Sequence, residues 1–169
     1  LNLKRKKNDF NFINLGFNLR PMDLTAAIGL SQIKRLNNMI KLRSKNRQLI
    51  INKMKNHNKW DNQFDFFEPV KNLKPSWFGL PLLVNKRFTR NKEKFLKYLN
   101  SSGVETRPIL SGNFLNQESC KLYKFDNKNF KISQEIEDRG FFIGLPTNDM
   151  SYITLNFLCE KLLKIKDFK

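Results

Sequence analysis

The chain is expected to fold as an α+β unit, a long helix plus a small sheet-and-helix domain, on three observations. From Met22 to about Asn56, the residues Leu24, Ile28, Ile33, Leu36, Ile40, Leu49, Ile50 and Met54 recur at helical multiples, while lysines and arginines mostly take the other faces. Three short apolar stretches, Pro75 to Val84, Val104 to Ile109 and Gly140 to Leu145, read as strands. Helical patterns lie between and after them, and neither an internal repeat nor a low-complexity block points to a solenoid or a tether.

Taken in order, Gly16-Phe17-Asn18-Leu19-Arg20-Pro21 forms a polar hook feeding the long helix. Pro21 suits the first helical position, where its missing N–H would be an orphan donor, so the helix is expected to start there. Ala26, Ala27, Gly29 and Ser31 remove bulk from the first turns and invite another element to pack closely; a glycine tolerated in a scaffold helix is the alternative. Asn56 to Asn62 reads as a break, and Phe64, Phe66 and Phe67 are apolar anchors before Pro69. In the Pro75 to Val84 strand, Pro81 favours an edge position or a bulge.

Thr89 or Asn91 can cap a helix carrying Phe95, Leu96 and Leu99, which Ser101-Ser102-Gly103 ends. Ser133 to Arg139 can form a short helix. Pro146 to Asp149 is expected to cap a final helix through Tyr152, Leu155, Leu158, Leu162 and Ile165. The organisation is a leader and hook over 1–20, a linking helix over 21–56 and a small α+β domain of three strands over 57–169.

At 169 residues, 40% of them hydrophobic, the chain can bury one ordinary core. Its 32 Lys and Arg against 15 Asp and Glu leave a net charge of +17, enough to attract polyanions at low salt. The cations are dispersed, beginning with Lys4, Arg5, Lys6 and Lys7, and there is no zinc-finger spacing, glycine-rich phosphate loop or RNA-recognition signature. A solvated basic surface is expected rather than a nucleic-acid footprint. No apolar stretch is long enough for a secretory signal or a membrane span, so the cytoplasm is the expected compartment.

Cys120 and Cys159 are expected to be reduced, since two cysteines establish no framework. His57 is the sole histidine, and with Asp61 and Asp65 it completes no metal spacing, so a surface or structural role is expected. The turn from Arg107 to Asn113 has the best local chemistry besides the hook. Arg107 offers directional donors, Pro108 restrains the backbone, Gly112 permits a sharp turn beside the Asn113 amide, and Phe114 can form an apolar wall. A phosphate or sugar hydroxyl suits such a loop; an internal arginine contact suits it as well.

The stretch Gly16 to Leu36, GFNLRPMDLTAAIGLSQIKRL, resembles the hook and helix of the DegT/DnrJ/EryC1/StrS sugar aminotransferase family. Ser76-Trp77-Phe78-Gly79, Thr106 to Phe114 and Gly140 to Gly144 resemble its nucleotide-sugar 3-dehydratase branch, in the same order. The resemblance covers nearly the whole chain from Gly16. It implies the carboxyl-terminal part of an aspartate-aminotransferase-like enzyme of PLP fold type I, with pyridoxal phosphate or pyridoxamine phosphate as cofactor and a homodimer with active sites between subunits.

The family's hook asparagine maps onto Asn18 as a contact to the cofactor phosphate, with Arg20 a second candidate for cofactor or substrate phosphate. Trp77, Arg107, Asn113 and Phe114 are the substrate-side candidates for a nucleotide-linked keto sugar. The branch implies loss of a sugar hydroxyl, with glutamate as amino donor, and a histidine where the aminotransferases carry the cofactor lysine. That position is expected upstream of this chain, so no catalytic residue is assigned here and residues 1–169 alone are not expected to turn over substrate. A nucleotide-sugar aminotransferase of the same family and a noncatalytic basic binding fragment remain the alternatives.

Overall fold

The computed structural model describes residues 16–17, 22–123 and 130–168. Its helices are α1 (Asp23–Ile33), α2 (Leu36–Lys55), α3 (Lys92–Ser101), α4 (Lys131–Arg139) and α5 (Tyr152–Leu162). Its strands are β1 (Phe64–Phe66), β2 (Gly79–Val84), β3 (Thr106–Arg107) and β4 (Gly140–Gly144). Short 3-10 turns lie at Lys86–Asn91, Phe114–Asn116, Glu118–Leu122 and Leu163–Asp167.

The single long helix expected from 21 to 56 is two helices in succession. At the junction the Arg35 N–H bonds to Gln32 O, three residues back, at 2.9 Å, which tightens the turn and divides the rod without glycine or proline. Pro21, the expected start, lies outside the described residues. α1 buries none of its residues, and Leu24, Ile28, Leu30 and Ile33 are all exposed. Among the described residues nothing lies within 4 Å of the position a Gly29 Cβ would take, so they do not make the close approach its small neighbours invite.

α2 behaves differently. It buries Asn46, Arg47, Ile50, Ile51 and Met54, and packs on α5. The Asn46 amide donates to Pro146 O at 3.1 Å and Asn148 O at 2.8 Å, tying the middle of α2 to the turn that follows β4.

The sheet is fully antiparallel, four-stranded, in the order β1-β2-β4-β3, one strand more than expected. The additional strand is β1, whose Phe64 and Phe66 were read only as apolar anchors; three residues are too few to display an alternation. Leu80, Leu82 and Val84 of β2 stand opposite Ile143, Phe141 and Phe64 and share their face. That inner face is fully or almost fully buried and packs on Phe95, whose ring meets Phe64 and Phe141 with centroids 6.1 and 6.2 Å away.

β2 is interior to the sheet, yet Pro81 sits as an edge residue would. β1 ends opposite Leu82, so on that side no neighbouring strand requires a Pro81 N–H. The strand expected over Val104 to Ile109 pairs only at Thr106 and Arg107, since Pro108 cannot continue the ladder as a donor. Gly103, at φ 85, ends α3 as expected. The cap of α5 is Ser151, whose hydroxyl accepts from the Thr154 N–H at 3.1 Å, rather than a residue of Pro146 to Asp149. Asn91 occupies the N-cap position of α3 without a side-chain cap bond; its amide donates instead to Ile165 O at 3.3 Å.

Candidate functional site

The sheet register places three of the four substrate-side candidates at two ends of β4 and the fourth, Arg107, opposite its middle. Trp77 lies two residues before β2, whose first residue, Gly79, stands opposite Gly144 at the end of β4. Asn113 and Phe114 lie beside α4, which runs directly into Gly140 at the start of β4. Arg107 lies between them, opposite Phe142 and on its face of the sheet. The Phe142 ring meets Phe78 edge-on at 6.0 Å, so one outer face carries Arg107, Phe142 and the neighbour of Trp77.

Close packing makes this face possible. A Cβ on Gly79 would lie 2.6 Å from the Phe142 ring and 2.7 Å from Ile143 O, so only glycine admits that approach. At the other end, Gly112 adopts φ 66, and an added Cβ there would meet the Glu137 side chain at 2.8 Å. The loop after β3 therefore lies flat on α4.

Within the loop, the Asn113 side chain is engaged at both ends. Its Oδ1 accepts from the Leu115 N–H at 3.2 Å and its Nδ2 donates to Gln134 Oε1 at 3.1 Å, while its backbone N–H donates to Glu137 Oε2 at 2.8 Å. Asn116 Nδ2 adds bonds to both α4 residues, each at 2.8 Å. Asn113 is buried, whereas Leu110 at the loop tip and Phe114 are exposed. Arg107 is exposed and paired with Glu105, Nε to Oε1 at 2.9 Å and Nη2 to Oε1 at 2.8 Å. An exposed pair of this kind is worth about 0–1 kcal/mol, so a competing anion can displace it.

Trp77 rests on a group that sequence reasoning passed over. The Arg47 guanidinium lies 4.2 Å from the ring centroid, and Arg43, one turn earlier on α2, lies 5.7 Å from the Phe78 ring. The sequence signal was faint: two arginines four apart on a helix ordinarily read as a solvated stripe. Asn18 and Arg20, the cofactor candidates, lie outside the described residues.

Other titratable groups serve the framework. His57 Nδ1 accepts from the Lys59 N–H at 3.1 Å and Nε2 meets Glu160 Oε1 at 3.0 Å, joining the end of α2 to α5 in the structural role expected of it. Hydrogen bonds from His57 and then Lys59 hold the Glu160 carboxyl below its ordinary range. Cys120 and Cys159 are free and buried; burial pushes the Cys159 thiol up to about 11, which keeps it protonated and poorly nucleophilic. Among the described residues, no group of three His, Cys, Asp or Glu is placed to hold a metal.

The model of the DegT/DnrJ/EryC1/StrS aminotransferase family matches residues 2–155. The chain belongs to that family. A GDP-4-keto-6-deoxy-D-mannose 3-dehydratase of Escherichia coli O55:H7 is 32% identical over 140 residues, covering 82% of this chain and 34% of that protein. A solved GDP-4-keto-6-deoxymannose-3-dehydratase mutant with bound GDP-perosamine matches with a TM-score of 0.71 and 29% identity, over 91% of this chain and 39% of that one. The same enzyme with a trapped PLP–glutamate geminal diamine matches with a TM-score of 0.70 and 28% identity, over 92% and 39%.

The chain thus spans about a third of the length of the curated relatives it matches. Its α+β fold is part of the fold of this family's PLP-dependent sugar enzymes, as expected. Of the described arginines near the candidate site, Arg47 is committed to Phe67 and Glu68 and Arg43 lies over the Phe78 ring, which leaves the weakly paired Arg107 as the cation open to an anion, and one such group is not a phosphate cradle. No helix of the described residues is long and apolar enough to cross a membrane.

Proposed function

We propose that this chain is the carboxyl-terminal part of a nucleotide-sugar 3-dehydratase, a lyase that uses pyridoxal phosphate and pyridoxamine phosphate on a GDP-4-keto-6-deoxy sugar in surface-polysaccharide synthesis. The observation that carries the reading is the 32% identity to a GDP-4-keto-6-deoxy-D-mannose 3-dehydratase over most of this chain. In this reading the protein is a cytoplasmic homodimer, glutamate regenerates the aminated cofactor, and the cofactor supplies the electron sink for loss of the C3 hydroxyl. Asn18 and Arg20 contact phosphate from the hook. Trp77, Arg107 and Phe114 face the nucleotide sugar, and Asn113 holds the loop that presents them. Arg107 exchanges the Glu105 carboxylate for a substrate phosphate, a swap its exposure permits.

The test uses the full-length protein with glutamate and the GDP-4-keto-6-deoxy sugar. A 3-deoxy product and a dimer mass are expected; an aminated sugar instead would replace the dehydratase reading with the aminotransferase one, as would a lysine at the upstream cofactor position where a histidine is expected. Asn18→Ala should weaken cofactor retention by roughly tenfold without unfolding the small domain. Arg107→Ala should lower kcat/KM more than it lowers the melting temperature. Residues 1–169 alone should show neither specific cofactor binding nor turnover, because the hook orients a cofactor only when the rest of its shell is present. A protein that retains no cofactor at full length but binds nucleic acid tightly at physiological salt would be a basic binding module.

A further inference from the structure

We propose that Arg47 is a positioning residue, closing segment 67–77 from inside so that the Trp77 indole is held in one orientation towards the nucleotide sugar. The inference rests on the substrate-side reading of Trp77. A single guanidinium reaches both ends of the segment. At its start, just after β1, Arg47 Nη2 donates to Phe67 O and to Glu68 Oε1, the latter at 3.2 Å. At its end, two residues before β2, the Trp77 ring lies over the guanidinium at 4.2 Å, well inside the range of about 6 Å over which a cation and a ring attract.

Trp77 also packs against the core, but the middle of the segment has little else to hold it. Val70 and Leu73 are 75% and 60% exposed, and the turn between them is closed by one backbone bond, Leu73 N–H to Val70 O at 2.9 Å, around Asn72 at φ 71. Trp77 itself sits at φ 42, a left-handed conformation that is strained for a bulky residue and persists only where its surroundings over-determine it. Arg47, 5% exposed, adds to the core packing of Trp77 a stack that helps to offset this cost, since a cation withdrawn from water is attracted to an indole face more strongly than an exposed one.

Arginine is the residue type this task needs. Its planar fork can lie flat against the ring while an edge nitrogen bonds to Phe67 and Glu68, whereas a lysine ammonium is a point charge that cannot stack. As a device for stability alone the arrangement is poor. The Arg47 Nε is buried without a hydrogen-bond partner among the described residues, and Glu68 is mostly exposed, so a well-packed apolar side chain would serve packing at least as well. What the guanidinium adds is direction, for the ring and for both ends of the segment.

The test compares Arg47→Lys and Arg47→Met with the parent in the full-length protein, isolating the Trp77 emission by subtracting the matching Trp77→Phe protein. Red-shifted Trp77 emission and greater acrylamide quenching are expected in both variants, with KM for the nucleotide sugar raised about tenfold and kcat changed less than about twofold. Unchanged emission and quenching would overturn the hold on the ring. A normal KM in both variants, when Trp77→Phe raises KM, would overturn the positioning role and leave a structural one. A normal KM in Trp77→Phe itself, with altered emission in the Arg47 variants, would sink the substrate-side reading of Trp77 while establishing that Arg47 fixes the ring.

Discussion

α1 and α2 are consecutive stretches of one apolar-periodic run, and they have opposite fates. α2 places Ile50, Ile51 and Met54 in the core, at 2% exposure or less, because α5 and the sheet stand opposite them. α1 presents Leu24, Ile28 and Ile33 at 57% exposure or more. Periodicity decides which face of a helix is apolar; burial also requires a partner, and the described residues provide one only to α2. An apolar face of this extent in a chain spanning about a third of its relatives' length is the kind of surface that marks an interaction.

The comparison can be broken by mutation. Phe141→Ala, at the centre of the inner sheet face, should cost about 3–5 kcal/mol in chemical denaturation, whereas Leu24→Ala and Ile28→Ala in residues 1–169 should each cost less than about 0.5 kcal/mol. Equal losses at the two sites would show that α1 is covered within this chain. Measured in the full-length protein, the α1 substitutions should become costly, and that increase would report the partner directly.

A smaller effect is expected where the framework is polar. Arg139 donates from Nε to Val84 O at 2.7 Å and pairs with Glu135 on its own helix and Asp65 on β1, so one side chain ties α4 to two strands. Arg139→Met should lose about 1–3 kcal/mol, chiefly because the buried carbonyl is left without its donor. A loss no larger than that of an α1 substitution would mean that packing alone holds this junction.

The smallest effect belongs to the surface contact between the end of α2 and α5. The Glu160 carboxyl is held below its ordinary range by His57 and Lys59, so its contribution is present above the unfolded carboxylate pKa, about 4.3, and is lost as pH falls through the lower folded value. Glu160 is half exposed, so solvent screens the contact and the effect is modest. Glu160→Gln should flatten the acid limb of a stability-versus-pH curve and leave the rest unchanged; an unaltered acid limb would remove this contact from the account.

Much of the framework was legible in the sequence because its causes are local. Gly103 ended α3 through its backbone freedom, and the apolar run from Leu80 to Val84 marked β2 as a strand, although the run to Ile109 overstated β3, which stops before Pro108. The candidate site was legible in part. The motifs around Trp77 and Arg107 directed attention to both ends of β4, but not to the partners of those residues.

The sequence by itself determined the class of fold, the places of β2, β3 and β4 and of the helices that follow β2, the family and the residues that deserve a functional test, since these follow from spacing, turn chemistry and motif order. Only the tertiary structure decided that Arg47 lies buried beneath Trp77, that the Asn113 amide is spent on Gln134 and its own loop, and that α1 stands uncovered. The physical reason is sequence distance. Arg47 and Trp77 are 30 positions apart and Asn113 and Gln134 are 21, and no periodicity within a helix or strand specifies which remote side chain will be its neighbour once the chain has packed.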